Sequence, residues 1–283
     1  MVNKVIVSTD CVCDLPPQFI DKYSIPIMCY YMKVGTARFQ DISEINSDSI
    51  LEYMEQDHKM LATMSASVEE YTEFFNDITE DGKNSVIHIT IAKHLSNGYR
   101  NAVEAAKSFS GVHVVDSGKV SGAMGMFVLV AADLARKGAT KDIILQRLET
   151  IREKINCSFV MRSSKYLVYN KRLRGILLQR LEIFSLHPVI VLRNSALVMG
   201  GLCWGNDYQY AKEYIRKRLS DVSKISDEVL FVVTAGCDYE MQQYIVAEAK
   251  KKVEWKHIYV MRASATISCN SGPGTFGLVF FNK

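Results

Sequence analysis

One stretch constrains the fold more than any other. Ser85–Ile91 is an apolar run of strand character, Ala92–Asn97 reads as a loop, and Val112–Val115 is a second apolar run. Between loop and second run, Tyr99, Ala102, Val103, Ala106 and Phe109 recur at helical spacing. Two strands joined through a helix cannot form a tight hairpin, so they predict a parallel sheet with a right-handed crossover. The segments before it fit the same scheme. Val5–Thr9 reads as a buried strand, Pro16 and Pro17 mark a helix start, and Ile25–Met32 reads as a second strand. Ser47 is placed to cap a helix carrying Ile50, Leu51 and Met54 on one face. Ser67-Val68-Glu69-Glu70 fits a capping box ahead of Val68, Tyr71, Phe74, Phe75 and Ile78, which makes Thr63-Met64-Ser65-Ala66 the loop feeding that helix. Helices near 120–136 and 140–155 complete the first half.

From Cys157 the rhythm changes. Strand-like segments crowd together at Phe159–Met161, Ile183–Leu192 and Leu197–Cys203, with Arg193-Asn194-Ser195 as a hairpin turn. Helices near 207–219 and 239–252 alternate with strands at Val229–Thr234, His257–Met261 and Gly277–Phe281. The first half therefore reads as α/β and the second as a mixed α+β arrangement. At 283 residues the chain is long enough for about two domains.

Several function classes are disfavoured at once. The charge balance, 34 basic against 31 acidic side chains, does not point to nucleic acid. The longest uncharged run, Ala263–Asn282, is too rich in Ser, Thr, Asn, Gly and Pro to sit in hydrocarbon, and Met1–Asp10 lacks a signal-peptide pattern, so a cytoplasmic location is expected. Seven cysteines without an export signal or a CxxC pair argue against a disulfide framework and against zinc. GxGxxG, GxxxxGK[ST] and GxSxG are all missing. Of the six histidines, His88 falls within a strand and His94 in the Ser96 loop, while His58, His113, His187 and His257 have no acid or nucleophile nearby in sequence. Charge is nonetheless uneven: residues 1–80 carry 5 basic and 14 acidic side chains, residues 136–193 carry 13 and 4. The basic stretch is either a solvated face or a docking surface, with Arg172 and Arg174 at its centre.

Two hydroxyl-bearing loops carry the remaining signal. One holds Thr63, Ser65 and Ser67; the other holds Ser96 beside Asn97 and Gly98. Each runs into a helix N-terminus, where free N–H groups and the helix dipole favour an anion and hydroxyls add neutral donors. Either loop alone is ordinary capping. Two of them at the carboxyl ends of neighbouring strands can face one crevice and suit one carboxylate or phosphate. Ser271-Gly272-Pro273-Gly274 reads as a tight turn between strands.

Taken in order, five segments resemble the DegV family of bacterial fatty-acid-binding proteins. Ser8-Thr9-Asp10-Cys11-Val12-Cys13-Asp14-Leu15-Pro16 is similar to that family's TDSxxDLP opening, and Ala62-Thr63-Met64-Ser65-Ala66-Ser67 stands where it has TSQPS. His94-Leu95-Ser96-Asn97-Gly98-Tyr99-Arg100-Asn101-Ala102 is similar to its LSGTYQSA loop, Val114-Val115-Asp116-Ser117 to its VVDS, and Ser271-Gly272-Pro273-Gly274 to the end of its HTGPG. The resemblance covers essentially the whole chain. It implies a DegV-like two-domain α/β fold: an N-terminal three-layer α/β/α domain with a parallel sheet over 1–156, and a C-terminal two-layer α/β domain with a mixed sheet over 157–283. It also implies one long-chain fatty acid as ligand, with no cofactor, no metal and no catalytic residue. Thr63 and Ser96 are expected on its carboxylate, with Ser65 and Asn270 beside them. In some relatives the bound acid is presented to a separate kinase that makes an acyl phosphate. A fatty acid kinase subunit, and transient contact with a membrane surface, are therefore the partners the resemblance adds. The reading that stands against the carrier is an α/β enzyme that handles a phosphate or acyl group in the same anion site.

This chain departs from the family pattern in three places. Asn270 stands where the family usually has His, and Asn donates a hydrogen bond but carries no charge. Asn170-Lys171-Arg172 replaces a Gly-Gly-Arg segment, and no Arg follows the later hairpin near Trp204-Gly205-Asn206. The last two bear on kinase docking more than on lipid binding.

Overall fold

The computed structural model describes residues 4–56, 60–80, 82–171, 181 and 184–283. The first half contributes β1 (Val5–Asp10), a 3-10 turn at Cys11–Cys13, α1 (Pro17–Tyr23), β2 (Ile27–Met28), β3 (Tyr31–Val34) and β4 (Ala37–Gln40). There follow α2 (Ser47–Gln56), β5 (Ala62–Met64), α3 (Val68–Thr79), β6 (Ser85–Thr90), α4 (Gly98–Ala106), β7 (Val112–Asp116), α5 (Ser121–Arg136) and α6 (Lys141–Arg152). The second half contributes β8 (Ile155–Val160), α7 (Lys165–Tyr169), β9 (Leu186–Arg193), β10 (Ala196–Trp204), α8 (Asp207–Arg218), β11 (Ile225–Ala235), α9 (Tyr239–Lys250), β12 (His257–Arg262), α10 (Ala265–Ser271) and β13 (Thr275–Asn282).

The βαβ unit forms as its periodicity requires. β2, β1, β6 and β7 make an all-parallel sheet in that order. Successive side chains of β6 point to opposite faces. Ile87 and Ile89 pack with α5 residues such as Met124 and Phe127, whereas His88 lies against the rings of Tyr71, Phe74 and Phe75 of α3. Helices thus cover both faces, the three-layer arrangement that the resemblance implies.

The second sheet has six strands in the order β10-β9-β8-β13-β11-β12, with β11 and β12 parallel and every other pairing antiparallel. One face packs against α8 and α9 through Tyr210, Tyr214, Leu230, Val232, Leu278 and Phe280. The other face presents Phe231, Val233 and Val279 to the core that α5 fills. Asn194 and Ser195 form the two-residue turn between β9 and β10, both at positive φ (49° and 62°), as a turn matching the strand twist demands.

Four local expectations are corrected. Ile25–Met32 is not one strand: β2 joins the parallel sheet, and β3 turns away into a separate sheet β4-β3-β5. Thr63 and Met64 consequently lie in β5, not in a loop. Ser47 does not cap α2; it is the first helical residue, its hydroxyl meets Ser268 Oγ at 2.6 Å, and Asn46 Oδ1 accepts from Ser49 N at 3.0 Å instead. The uncharged C-terminal stretch holds a helix, α10, so Ser271–Gly274 joins a helix to a strand. Asp41 holds the first turn of α10 from far away in sequence, accepting from Ala265 N at 3.0 Å and Thr266 N at 2.8 Å.

Candidate functional site

Three elements bring the hydroxyl groups together. β5 sets Thr63 opposite Met32 of β3. The expected capping box of α3 is present: Glu70 N donates to Ser67 Oγ at 3.2 Å and Ser67 N to Glu70 Oε2 at 2.7 Å. Asn101 Nδ2 donates to Ala66 O at 2.7 Å and ties the Ser65–Ser67 loop to α4. In the other loop, Ser96 Oγ accepts from Gly98 N at 3.1 Å and donates to Tyr30 Oη at 3.4 Å. Only glycine fits at 98, because a Cβ there would stand 1.8 Å from Tyr30 Oη. From α10, Asn270 Nδ2 donates to Thr63 Oγ1 at 3.2 Å and to Thr266 O at 2.8 Å.

Thr63, Ser65, Ser96 and Asn270 all line a single pocket, of about 920 Å³ counting the part open to solvent. The rest of its lining is largely apolar and comes from both halves, with Ile91, Leu95 and Val120 from the first and Phe159, Val233 and Val279 from the second, interspersed with hydroxyls such as Ser121, Ser158 and Thr275. Among the described residues, no lysine, arginine, histidine, aspartate or glutamate lines it. The lining groups that could titrate are Tyr30, raised well above the ordinary phenol range by burial and by Asp10, and Cys157, pushed up to about 11 by burial. Ser96 has a phenol and a backbone N–H as hydrogen-bond partners among the described residues.

Behind Tyr30 lies a network that the sequence did not announce. Asp10 accepts from Tyr71 Oη at 2.6 Å, Tyr30 Oη at 3.0 Å, Ile91 N at 3.1 Å and His88 Nε2 at 3.2 Å, which uses every lone-pair direction of the carboxylate. His88 Nδ1 lies 3.0 Å from Ser8 Oγ. His88 lies within β6, as expected, and serine, histidine and aspartate side chains meet there. All three are fully buried, so no substrate reaches Ser8, and the trio holds Tyr30 in place rather than doing chemistry. His187 also finds partners, the carbonyls of Arg162 at 3.1 Å and Gly205 at 2.9 Å. Arg172 and Arg174 lie outside the described residues.

Asp14 is a second buried acid beside the cavity. Its Oδ2 accepts from Ser121 Oγ at 2.5 Å and its Oδ1 from Ser264 N at 2.8 Å, and Ser121 lines the cavity. Burial outweighs these bonds and raises its pKa from 3.8 to about 7. The folded state thus holds the proton more tightly than the unfolded chain. Its contribution to stability is complete below about pH 4 and is lost as pH rises through about 7. Asp14→Asn should remove that dependence. Its stability relative to the parent should be higher at pH 8.5 than at pH 5, by about 2–3 kcal/mol. Urea unfolding at the two pH values checks it, and an equal difference at both would contradict the assignment.

Fold and pocket define an α/β protein with a parallel and a mixed sheet and a largely apolar pocket that also presents neutral hydroxyl and amide groups. The chain belongs to the DegV family: the model of that family, whose description is uncharacterised protein of the DegV family, matches residues 4–283. A DegV domain-containing protein of Halalkalibacterium halodurans is 23% identical over 99% of both chains. A Thermus thermophilus structure described as showing fatty acid binding of a DegV family protein superposes with a TM-score of 0.87, at 22% identity over 99% of this chain and 100% of that one. The fatty acid kinase B3 protein of Streptococcus pneumoniae, loaded with linoleic acid, superposes with a TM-score of 0.86, at 16% identity and full coverage of both chains.

Proposed function

We propose that this protein is a carrier that holds one long-chain fatty acid in the cavity, head group at the Thr63, Ser65, Ser96 and Asn270 end. The observation that carries the reading is the pocket itself, largely apolar in its lining and carrying the neutral donors Thr63, Ser65, Ser96 and Asn270. Burying about 14 methylenes at roughly 0.8 kcal/mol each gives a gross gain on the order of 11 kcal/mol, of which ordering the tail takes back a large share. Affinity therefore comes from the tail, and the hydroxyls need only fix orientation. Solved relatives loaded with linoleic acid and heptadecanoic acid support the same ligand class. Titration with oleate or palmitate should show saturable uptake of one equivalent per chain; no uptake of either would overturn the reading.

Presentation of the bound acid to a separate kinase is the finer reading. The kinase name of the Streptococcus pneumoniae relative supports it, and Arg172 and Arg174 are the residues it relies on in this chain. A work site in the cytoplasm fits the seven free thiols. Among the described residues no helix is long and apolar enough to cross a membrane, so any membrane contact would be peripheral.

A further inference from the structure

One residue of the pocket lining stands apart from the rest. Met64 is 41% exposed, whereas every other described residue of the lining is buried or half-buried. A side chain that borders both the pocket and the solvent marks a mouth. Met64 stands between Thr63 and Ser65, so this mouth lies beside the groups proposed for the head of the acid.

The backbone around Met64 is fastened at several points. Thr63 Oγ1 accepts from Asn270 Nδ2 at 3.2 Å and Leu61 O from Cys269 Sγ at 3.3 Å, and both bonds tie β5 to α10. Ala66 O accepts from Asn101 Nδ2 at 2.7 Å, which ties the following loop to α4. Glu70 holds a third side. Its Oε2 accepts from Ser67 N at 2.7 Å, and its Oε1 accepts from Tyr31 Oη at 2.6 Å and Arg38 Nη2 at 2.8 Å. Tyr31 is the cross-strand partner of Met64, and the Arg38 guanidinium lies 3.9 Å from the centre of its ring. Met64 thus sits beside a neighbour that is itself pinned. Its own side chain is a thioether on rotatable bonds, with no strong donor or acceptor to tie it. The movable part of this rim is therefore the Met64 side chain, an apolar flap on a fixed frame.

The hydrophobic effect sets where such a flap rests. Folded over the mouth, it takes apolar surface of its own and of the pocket out of water. It gains in the same way whether the pocket is empty or holds an acyl chain. A flap that closes over both states slows entry and exit by the same factor, the fraction of time it stands open.

We propose that Met64 is a gate: the fatty acid enters and leaves past its side chain, which governs the rates of exchange more than the affinity. The inference rests on the pocket being the fatty-acid site. The test is stopped-flow fluorescence of the full chain with cis-parinaric acid, association being read on mixing and dissociation in a chase with excess oleate. In Met64→Ala the association rate constant should rise about threefold or more, and in Met64→Trp it should fall by a similar factor, with dissociation moving the same way in each. A residue that only touches the bound chain would behave otherwise, because loss of a contact shows mainly in dissociation. Faster dissociation in Met64→Ala with association unchanged would therefore overturn the gate and leave the carrier reading standing. So would an association rate that responds to Leu197→Ala, at a lining position on β10, and not to Met64→Ala. No uptake of parinarate or oleate by the parent would overturn both readings.

Discussion

Asp10→Ala is expected to lower the unfolding free energy by about 3–5 kcal/mol, the largest loss from any single substitution in the first half of the chain. Asp10 is fully buried and accepts four hydrogen bonds, from Tyr30, Tyr71, His88 and Ile91. Its removal strands two phenols, an imidazole and a backbone N–H inside a low-dielectric core, and the cost lies mainly in those orphaned donors. The same change frees Tyr30 Oη, which Gly98 accommodates and Ser96 contacts. The end wall of the cavity should therefore lose its shape along with the fold's stability. Urea unfolding of parent and variant measures the loss. A change under about 1 kcal/mol, the worth of one ordinary hydrogen bond, would show that the network is not the anchor described here.

Thr63→Ala combined with Ser96→Ala is expected to weaken fatty-acid binding about 30-fold with little change in stability. Each hydroxyl contributes one neutral hydrogen bond to the head group, about 1 kcal/mol, and two such losses amount to roughly 30-fold. The fold should tolerate the pair. Asn270 keeps its bond to Thr266 O without Thr63, and Gly98 N is at a helix start where water can replace Ser96. Competitive displacement of a fluorescent long-chain acid measures the effect. An affinity unchanged within about twofold, far inside the tenfold that 1.4 kcal/mol represents, would contradict the placement of the head group.

How much of this was legible in the sequence follows from how local each signal is. The strand β6, the loop and α4 could be read because a run of apolar residues gives way to helical spacing within 25 residues. The capping box at Ser67 and the turn at Asn194-Ser195 are equally local. The small sheet was not legible: β4 is four largely exposed residues and β5 is three, too short to alternate. Nor was α10, whose seven residues include Thr, Ile and two Ser, and whose first turn is held by Asp41 more than 220 residues earlier. The same distance hid the Asp10 network, whose partners come from positions 30, 71, 88 and 91. Residue chemistry singled out the two hydroxyl loops, and the family resemblance supplied Asn270. The order of the motifs could not show that Met64 would be the exposed residue of the pocket lining.

The central claim is that the pocket lined by Thr63, Ser65, Ser96 and Asn270 is a fatty-acid site. Mass spectrometry of the small molecules released when freshly purified, full-length protein is denatured addresses it most directly. The expected result is a long-chain acid at close to one per chain. Preparations that are repeatedly free of any such acid, and stay so after incubation with oleate and palmitate, would contradict it.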